Sequence, residues 1–254
     1  MSDKPIAWVT GGGSGIGLAT AQGLGHAGYR LILSGRTASR LDAAADQLKA
    51  LGLDAVALAL DVADDGAVEA AGQTIAHSYG NVSVLVASAG TNVPNRFWRD
   101  LTAADFARVS AINLNGVASA ACAVLPGMRA QGRGAIVVIS SWAGWRFSAF
   151  TGAAYGATKH GLSPLVESLN EQEGRHGIRA TLICPGEVAT PILKTRPKPP
   201  SDADIAQMLL PKDIADAVLY AVNAPDRVCI NELVISPRVN RIYSGADDLV
   251  GSQG

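Results

Sequence analysis

Short β-branched runs alternate with long Ala- and Leu-rich stretches along the 254-residue chain, and that alternation leaves few folds open to it. The runs 6–10, 30–34, 55–60, 82–87, 135–140, 179–184 and 228–235 are apolar on both faces, so each reads as a strand that needs cover on both sides. Helical patterns fill the gaps at about 15–27, 39–51, 64–79, 102–131, 152–176 and 211–223. Strand, helix, strand repeated in this way implies right-handed crossovers and an α/β fold. The sequence therefore predicts a doubly wound parallel sheet of about seven strands, in a single domain covering 1–254. Thr102 stands three residues before Asp105, and Pro211 suits a first helical position, so both mark helix starts. One stretch interrupts the alternation. Pro191, Pro197, Pro199 and Pro200 crowd together there, and the segment at about 188–211 reads as a lid over the carboxyl edge of the sheet.

Charge narrows the range of partners. With 21 basic against 22 acidic residues and a net charge of −1, the chain lacks the electrostatic footprint that nucleic acid or an anionic membrane would need. Its apolar runs, such as 82–87 and 135–139, fall far short of the ~20 residues of a membrane span. Met1 to Pro5 leads straight into a strand without an apolar signal segment, so a cytoplasmic location is expected. Only 17% of residues are charged, which points to oligomerisation. Cys122, Cys184 and Cys229 are widely spaced among apolar neighbours and read as small buried hydrophobes. Four histidines with no HExxH or CxxC pattern give a metal site no support.

The first strand runs into Thr10-Gly11-Gly12-Gly13-Ser14-Gly15-Ile16-Gly17, and a helix follows. Glycines at such a turn permit positive φ, let a pyrophosphate approach the backbone and seat the helix closely, while the helix N-terminus attracts the phosphate charge. A nucleotide pocket follows. No Walker lysine is present, which argues against an NTPase. Tyr155 and Lys159 lie four apart, hence on one helix face. An ammonium beside a phenol favours phenolate and would make Tyr155 a general acid or base.

Taken together, Thr10 to Gly17, Asn113, Ser141, Tyr155 to Lys159, and Pro185-Gly186 with Thr190 make the chain resemble the classical short-chain dehydrogenase/reductase family over essentially its whole length. The resemblance implies a Rossmann-type sheet, assembly as a homodimer or homotetramer, and hydride transfer between a nicotinamide cofactor and a carbonyl or secondary alcohol. It implies that Tyr155 exchanges a proton with the substrate oxygen and that Ser141 hydrogen-bonds the same oxygen. Lys159 would bind the nicotinamide ribose and depress the Tyr155 pKa, and Asn113 would hold a relay water behind Lys159. Ser141 is chosen over Ser140, and Asn113 over Asn115, from the family's patterns. For the cofactor the resemblance implies Gly11, Ser14, Gly15, Ile16, Gly17, Asp61, Val62, Ala89, Gly90, Pro185, Gly186, Val188 and Thr190, besides Tyr155 and Lys159.

The end of the second strand discriminates between cofactors. NAD enzymes place a carboxylate there, whereas a 2′-phosphate prefers an arginine. Gly35 and Arg36 occupy those positions, which favours NADP(H), with Ser34 and Thr37 as further phosphate donors. Ala87-Ser88-Ala89-Gly90 stands where the family has Asn-Asn-Ala-Gly, so the bracing after the fourth strand should differ. The C-terminal stretch 232–238 also departs from the family.

Trp142, Trp145 and Phe147, with Phe150, Phe97 and Trp98, are candidates to line an apolar pocket for a small-molecule carbonyl or alcohol, and Ile192, Leu193, Met208 and Leu209 of the lid would add apolar walls. Arg96 and Arg146 are suited to a carboxylate, but loop arginines are most often solvated, so no acidic substrate is assigned. The expected activity is an NADP(H)-dependent alcohol dehydrogenase or carbonyl reductase. A catalytically silent NAD(P)-binding sensor or scaffold is the alternative.

Overall fold

The computed structural model describes residues 4–244 apart from Pro197, with the backbone alone at 194, 195 and 244; Met1 to Asp3, Pro197 and 245–254 lie outside the described residues. Seven parallel strands form one sheet: β1 (Ile6–Thr10), β2 (Arg30–Gly35), β3 (Ala55–Ala59), β4 (Val82–Ala87), β5 (Gly134–Ile139), β6 (Ile178–Pro185) and β7 (Glu232–Ile235). Their order is β3-β2-β1-β4-β5-β6-β7. The expected doubly wound sheet is thus present.

Strand residues alternate between two cores, as a period of two requires. On one face Trp8, Ile32, Leu85 and Ile136 pack beneath α3 (Asp65–Ser78), α5 (Gly116–Gln131) and α8 (Leu162–Glu173), through Ile75, Val124, Met128 and Leu162. On the other, Ala7, Val9, Leu31, Leu33 and Val86 meet α1 (Gly15–His26), α2 (Ala38–Ala50) and α10 (Pro211–Val222), through Leu24, Leu48, Ile214 and Val218. Each large side chain sealed in this way stabilises the fold by about 1.5–3 kcal/mol. The Trp8 indole would be an orphan donor in that core, but its Nε1 donates to Ser34 Oγ at 2.9 Å. Ser34 is therefore spent inside the sheet and is not the phosphate donor the sequence suggested.

Small residues set helix spacing. A Cβ on Gly72 of α3 would come within 2.9 Å of the Ala123 Cβ on α5, so the Ala-rich face of α5 serves contact within the chain. The continuous helix expected over 102–131 is divided. α4 (Ala103–Ser110) passes into a π-helical turn, Ala111–Asn115, before α5 begins. Thr102 caps α4 by accepting from the Asp105 amide at 3.0 Å. The span Ala103–Gln131 is long and apolar enough to cross a membrane by composition, and half of its most apolar window is buried in the fold.

The last strand is shorter than the 228–235 expected from sequence. The Arg179 guanidinium of β6 donates to the carbonyls of Val222, Pro225 and Val228, which holds the preceding residues in a loop. Of the cysteines only Cys184 is buried; Cys122 and Cys229 are exposed, against expectation. The Pro-rich segment is more ordered than its composition suggests. It contains a 3-10 turn, Pro191–Thr195, and the short α9 (Asp202–Ile205), and Val188 bridges Leu209.

Candidate active site

Strand order reverses direction between β1 and β4, and at such a switch point the carboxyl ends diverge and leave a crevice. The cleft found there is lined by the glycine turn, the loops after β2 to β6 and the segment after Gly186.

At its nucleotide end, Gly11 has φ +67° and a Cβ there would lie 2.9 Å from Ala89 N. A Cβ on Gly17 would stand 2.3 Å from Gly11 O, so α1 can sit this close to the turn only with glycine. Thr10 Oγ1 accepts from the amides of both Ser88 and Ala89 at 3.2 Å, and this brace serves where the family uses asparagine. Ser14, Gly15, Ile16, Arg36, Asp61, Val62, Ala89, Gly90, Pro185, Gly186, Val188 and Thr190 all line the cleft, as does Thr37. Arg40, which sequence reading passed over, lines it too, one turn into α2. Its only signal was a cation four residues after Arg36. Glycines that keep the floor open and two guanidiniums at the far wall fit the phosphates of a nicotinamide dinucleotide.

At the other end stand the groups with proton chemistry. α6 (Trp142–Trp145) follows β5, and α7 (Ala153–His160) carries Tyr155 and Lys159. Of the two serines after β5, Ser141 lines the cleft beside Tyr155 and favours its ionised form, whereas Ser140 Oγ donates to the Lys159 carbonyl at 3.1 Å. A Cβ on Gly144 would strike both Ser140 Oγ and Lys159 O, so α6 and α7 approach closely only at that glycine.

Lys159 Nζ donates to Ile139 O at 2.8 Å and lies 5.8 Å from the centre of the Tyr155 ring. Burial lowers the Lys159 pKa to about 8. Burial also pushes the Tyr155 phenol above its ordinary value, outweighing Ser141, Arg196 and Arg96, which pull it down. The groups that ease ionisation of Tyr155 are thus a serine and two arginines, where the sequence had pointed to Lys159. Asn113 is fully buried in the π-helical turn. Its amide exchanges hydrogen bonds with the backbone of Thr91 at 2.8 and 2.9 Å and donates to Thr158 Oγ1 at 3.3 Å.

The aromatic wall is smaller than expected. Trp142 and Phe150 line the cleft. Trp145 stacks edge-on against Trp142, behind it, and Phe147 is 87% exposed, so neither reaches the cleft. Phe97, Trp98, Met208 and Leu209 stay off the wall as well, while Ile192 and Leu193 are on it. Arg146 lies over the Trp145 ring, outside the cleft. Arg96, by contrast, is buried in it.

An ionic network joins distant segments around this end. The buried Glu187 receives Arg241 through two contacts of 2.9 Å and also Arg196, and Arg241 reaches Asp204 at 2.9 Å. Burial raises the Glu187 carboxyl, but the two arginines outweigh it and hold the group below its ordinary range. Ile242 thereby joins the cleft lining, and Tyr243 packs edge-on to Trp142. Residues 54 positions apart leave no local pattern, so sequence reading missed this closure.

Comparison with known proteins agrees with this geometry. The short chain dehydrogenase family model matches residues 5–200. Glycine betaine reductase ATRR of Emericella nidulans is 32% identical over 238 residues, which are 92% of this chain but only 19% of that longer protein. Among solved structures, a metagenomic short-chain oxidoreductase in complex with NADP superposes with a TM-score of 0.80 at 31% identity, covering 93% of this chain and 98% of the other. A variant of the actinorhodin polyketide ketoreductase with NADPH gives 0.85 at 29%, covering 92% and 97%. With its switch-point cleft, glycine turn and Ser141, Tyr155 and Lys159 gathered at one end, the chain belongs to the short-chain dehydrogenase family.

Proposed function

We propose that this oxidoreductase is NADP(H)-dependent and interconverts a carbonyl and a secondary alcohol of a small substrate, with Tyr155 as the proton partner. The observation that carries the reading is that Ser141, Tyr155 and Lys159 line one end of the same cleft whose other end holds Arg36 and Arg40. When bound, the nicotinamide supplies the hydride; the chain's own groups do the rest.

Gly11 and Gly17 keep the nucleotide floor open, and Arg36 with Arg40 holds the 2′-phosphate. Ser141 donates to the substrate oxygen, and Tyr155, kept protonated by its burial, delivers a proton there during reduction. Lys159 holds the ribose. Asn113 fixes the π-helical turn behind it, where a relay water would sit. Segment 188–211 closes over the substrate and excludes water.

The test compares carbonyl reduction with NADPH and NADH in wild type, Tyr155→Phe and Arg36→Ala. Loss of the general acid should cost roughly 10²–10⁴ in kcat with NADPH affinity unchanged. Arg36→Ala should weaken NADPH by about ten- to a hundredfold, the value of a charge-assisted hydrogen bond, and leave NADH unaffected. Undiminished turnover by Tyr155→Phe would remove the proposed acid. Equal efficiency with NADH would overturn the cofactor preference. NADPH binding without turnover of any carbonyl would favour the silent sensor.

A further inference from the structure

The substrate end of the cleft carries more positive charge than its chemistry requires. Arg96 is 4% exposed and sits in the cleft wall, fixed by Nε donating to Val93 O at 3.0 Å. Its stem passes over the start of α7, where a Cβ on Gly152 would overlap the Arg96 backbone and Cβ. Gly152 has φ +82°, a conformation that excludes most side chains, so the chain accepts a constrained backbone at the place where a buried cation passes.

Arg196 lines the same end, with its guanidinium 5.3 Å from the Phe150 ring centre. Arg196 is close enough for its charge to act on Arg96, and both act on Tyr155. Together with Lys159 and Arg241 they make four cations around this end. Glu187 is the carboxylate among the lining residues there, and it is shared between Arg196 and Arg241; Asp204 engages Arg241 from outside the cleft.

Burial costs Arg96 its hydration, and its charge is repelled by the partly buried Arg196, which shares the single carboxylate of Glu187 with Arg241. An anion placed between Arg96 and Arg196 offsets both costs, and a planar carboxylate matches the guanidinium fork. A third group points the same way. The Ser148 hydroxyl is more than nine-tenths buried, has no hydrogen-bond partner and belongs to the cleft lining. An orphan hydroxyl among cations is a donor in waiting for an acceptor-only group.

We propose that the substrate is an oxo acid or hydroxy acid, its carboxylate recognised by Arg96 and Arg196 with Ser148 as an additional donor. This rests on the reductase reading above and specifies its substrate class. Arg96 and Arg196 are then specificity residues, and the carbonyl to be reduced lies beside Tyr155 while the carboxylate lies towards the arginines.

The test sets straight-chain oxo acids of increasing length against their methyl esters, with NADPH, in wild type, Arg96→Met, Arg196→Met and, as a control outside the cleft, Arg146→Met. For at least one length the acid should exceed its ester by roughly tenfold or more in kcat/KM. Either cleft variant should bring that ratio towards one by raising KM for the acid more than for its ester, with NADPH affinity retained, and Arg146→Met should leave the ratio unchanged. A second readout needs no turnover: pentanoate should raise the Tm of the NADPH complex where pentanamide does not, and Arg196→Met should abolish the shift even if Arg96→Met fails to fold. Esters equal to acids at every length would overturn the assignment, as would an acid preference that survives both cleft substitutions. Tyr155-dependent reduction of neutral carbonyls without acid preference sinks the carboxylate site alone. Absence of all turnover sinks the reductase reading, and the pentanoate shift then still decides whether the anion site exists.

Discussion

Gly17 shows how much of the cofactor site depends on single atoms. The carbon that alanine would add has a backbone carbonyl 2.3 Å away, and no side-chain rotation relieves such a contact. Gly17→Ala should therefore abolish NADPH binding in calorimetry, and binding within a few-fold of wild type would show that the turn yields. The lysine of the proton site is also open to measurement. An ammonium whose pKa burial has lowered to about 8 is charged below that pH and neutral above it. Reduction should decline as pH rises through about 8, and Lys159→Arg should remove that alkaline limb, though at lower rates. A pH–rate profile of both forms reads this directly. Thiol chemistry separates the three cysteines. Burial and the nearby Glu232 push Cys184 up to about 12, so a maleimide should label Cys122 and Cys229 in the native protein and Cys184 only after unfolding.

Much at this scale could be read directly from sequence, because the chemistry sits on short local patterns. The glycine turn, Tyr155 with Lys159 and the choice of Arg36 all depend on spacings of a few residues. What was not legible was orientation. Sequence placed Ser34 beside Arg36 at the mouth of the cleft, but a strand turns alternate residues to opposite faces, and Ser34 faces the Trp8 indole. Trp145 and Phe147 were wrong for a similar reason, since membership of a loop does not say which side chains turn inward.

Elements were legible to the extent that period decides them. Most strands and helices were found close to their observed bounds, but the last strand begins only at Glu232, and the helix expected over 152–176 is divided into α7 and α8. The π-helical turn at Ala111–Asn115 was hidden inside an unbroken helical pattern. One additional residue in that turn rotates Asn113 towards Thr91, against the loop that follows β4. The 188–211 segment was recognisable from its prolines, but its anchor was not. Glu187 joins that segment to residues near the other end of the described chain. Because its pKa is depressed, its contribution is fully present above the ordinary glutamate value of 4.5 and is lost as pH falls through the lower folded value. Glu187→Gln should be less stable than wild type at neutral pH by about 3 kcal/mol, the low end for breaking a buried ion pair. The difference should close in acid, as urea midpoints at pH 6 and pH 3 would show.

For the whole molecule, alternation of strand and helix was enough to predict the sheet, because a parallel sheet with both faces covered has few alternatives. It could not reveal that the cleft is completed from both ends of the described chain. Gly11 forms one end of the cleft, and Arg241 and Ile242 close the other. This sets an order of assembly during synthesis. The cofactor end cannot be complete before β6 and α10 have left the ribosome, because Pro185, Gly186, Val188 and Thr190 line it and α1 packs on Ile214 and Val218. The substrate wall must wait longer still, until residues 241 and 242 emerge. What the enzyme selects to reduce would then be the last property a nascent chain acquires.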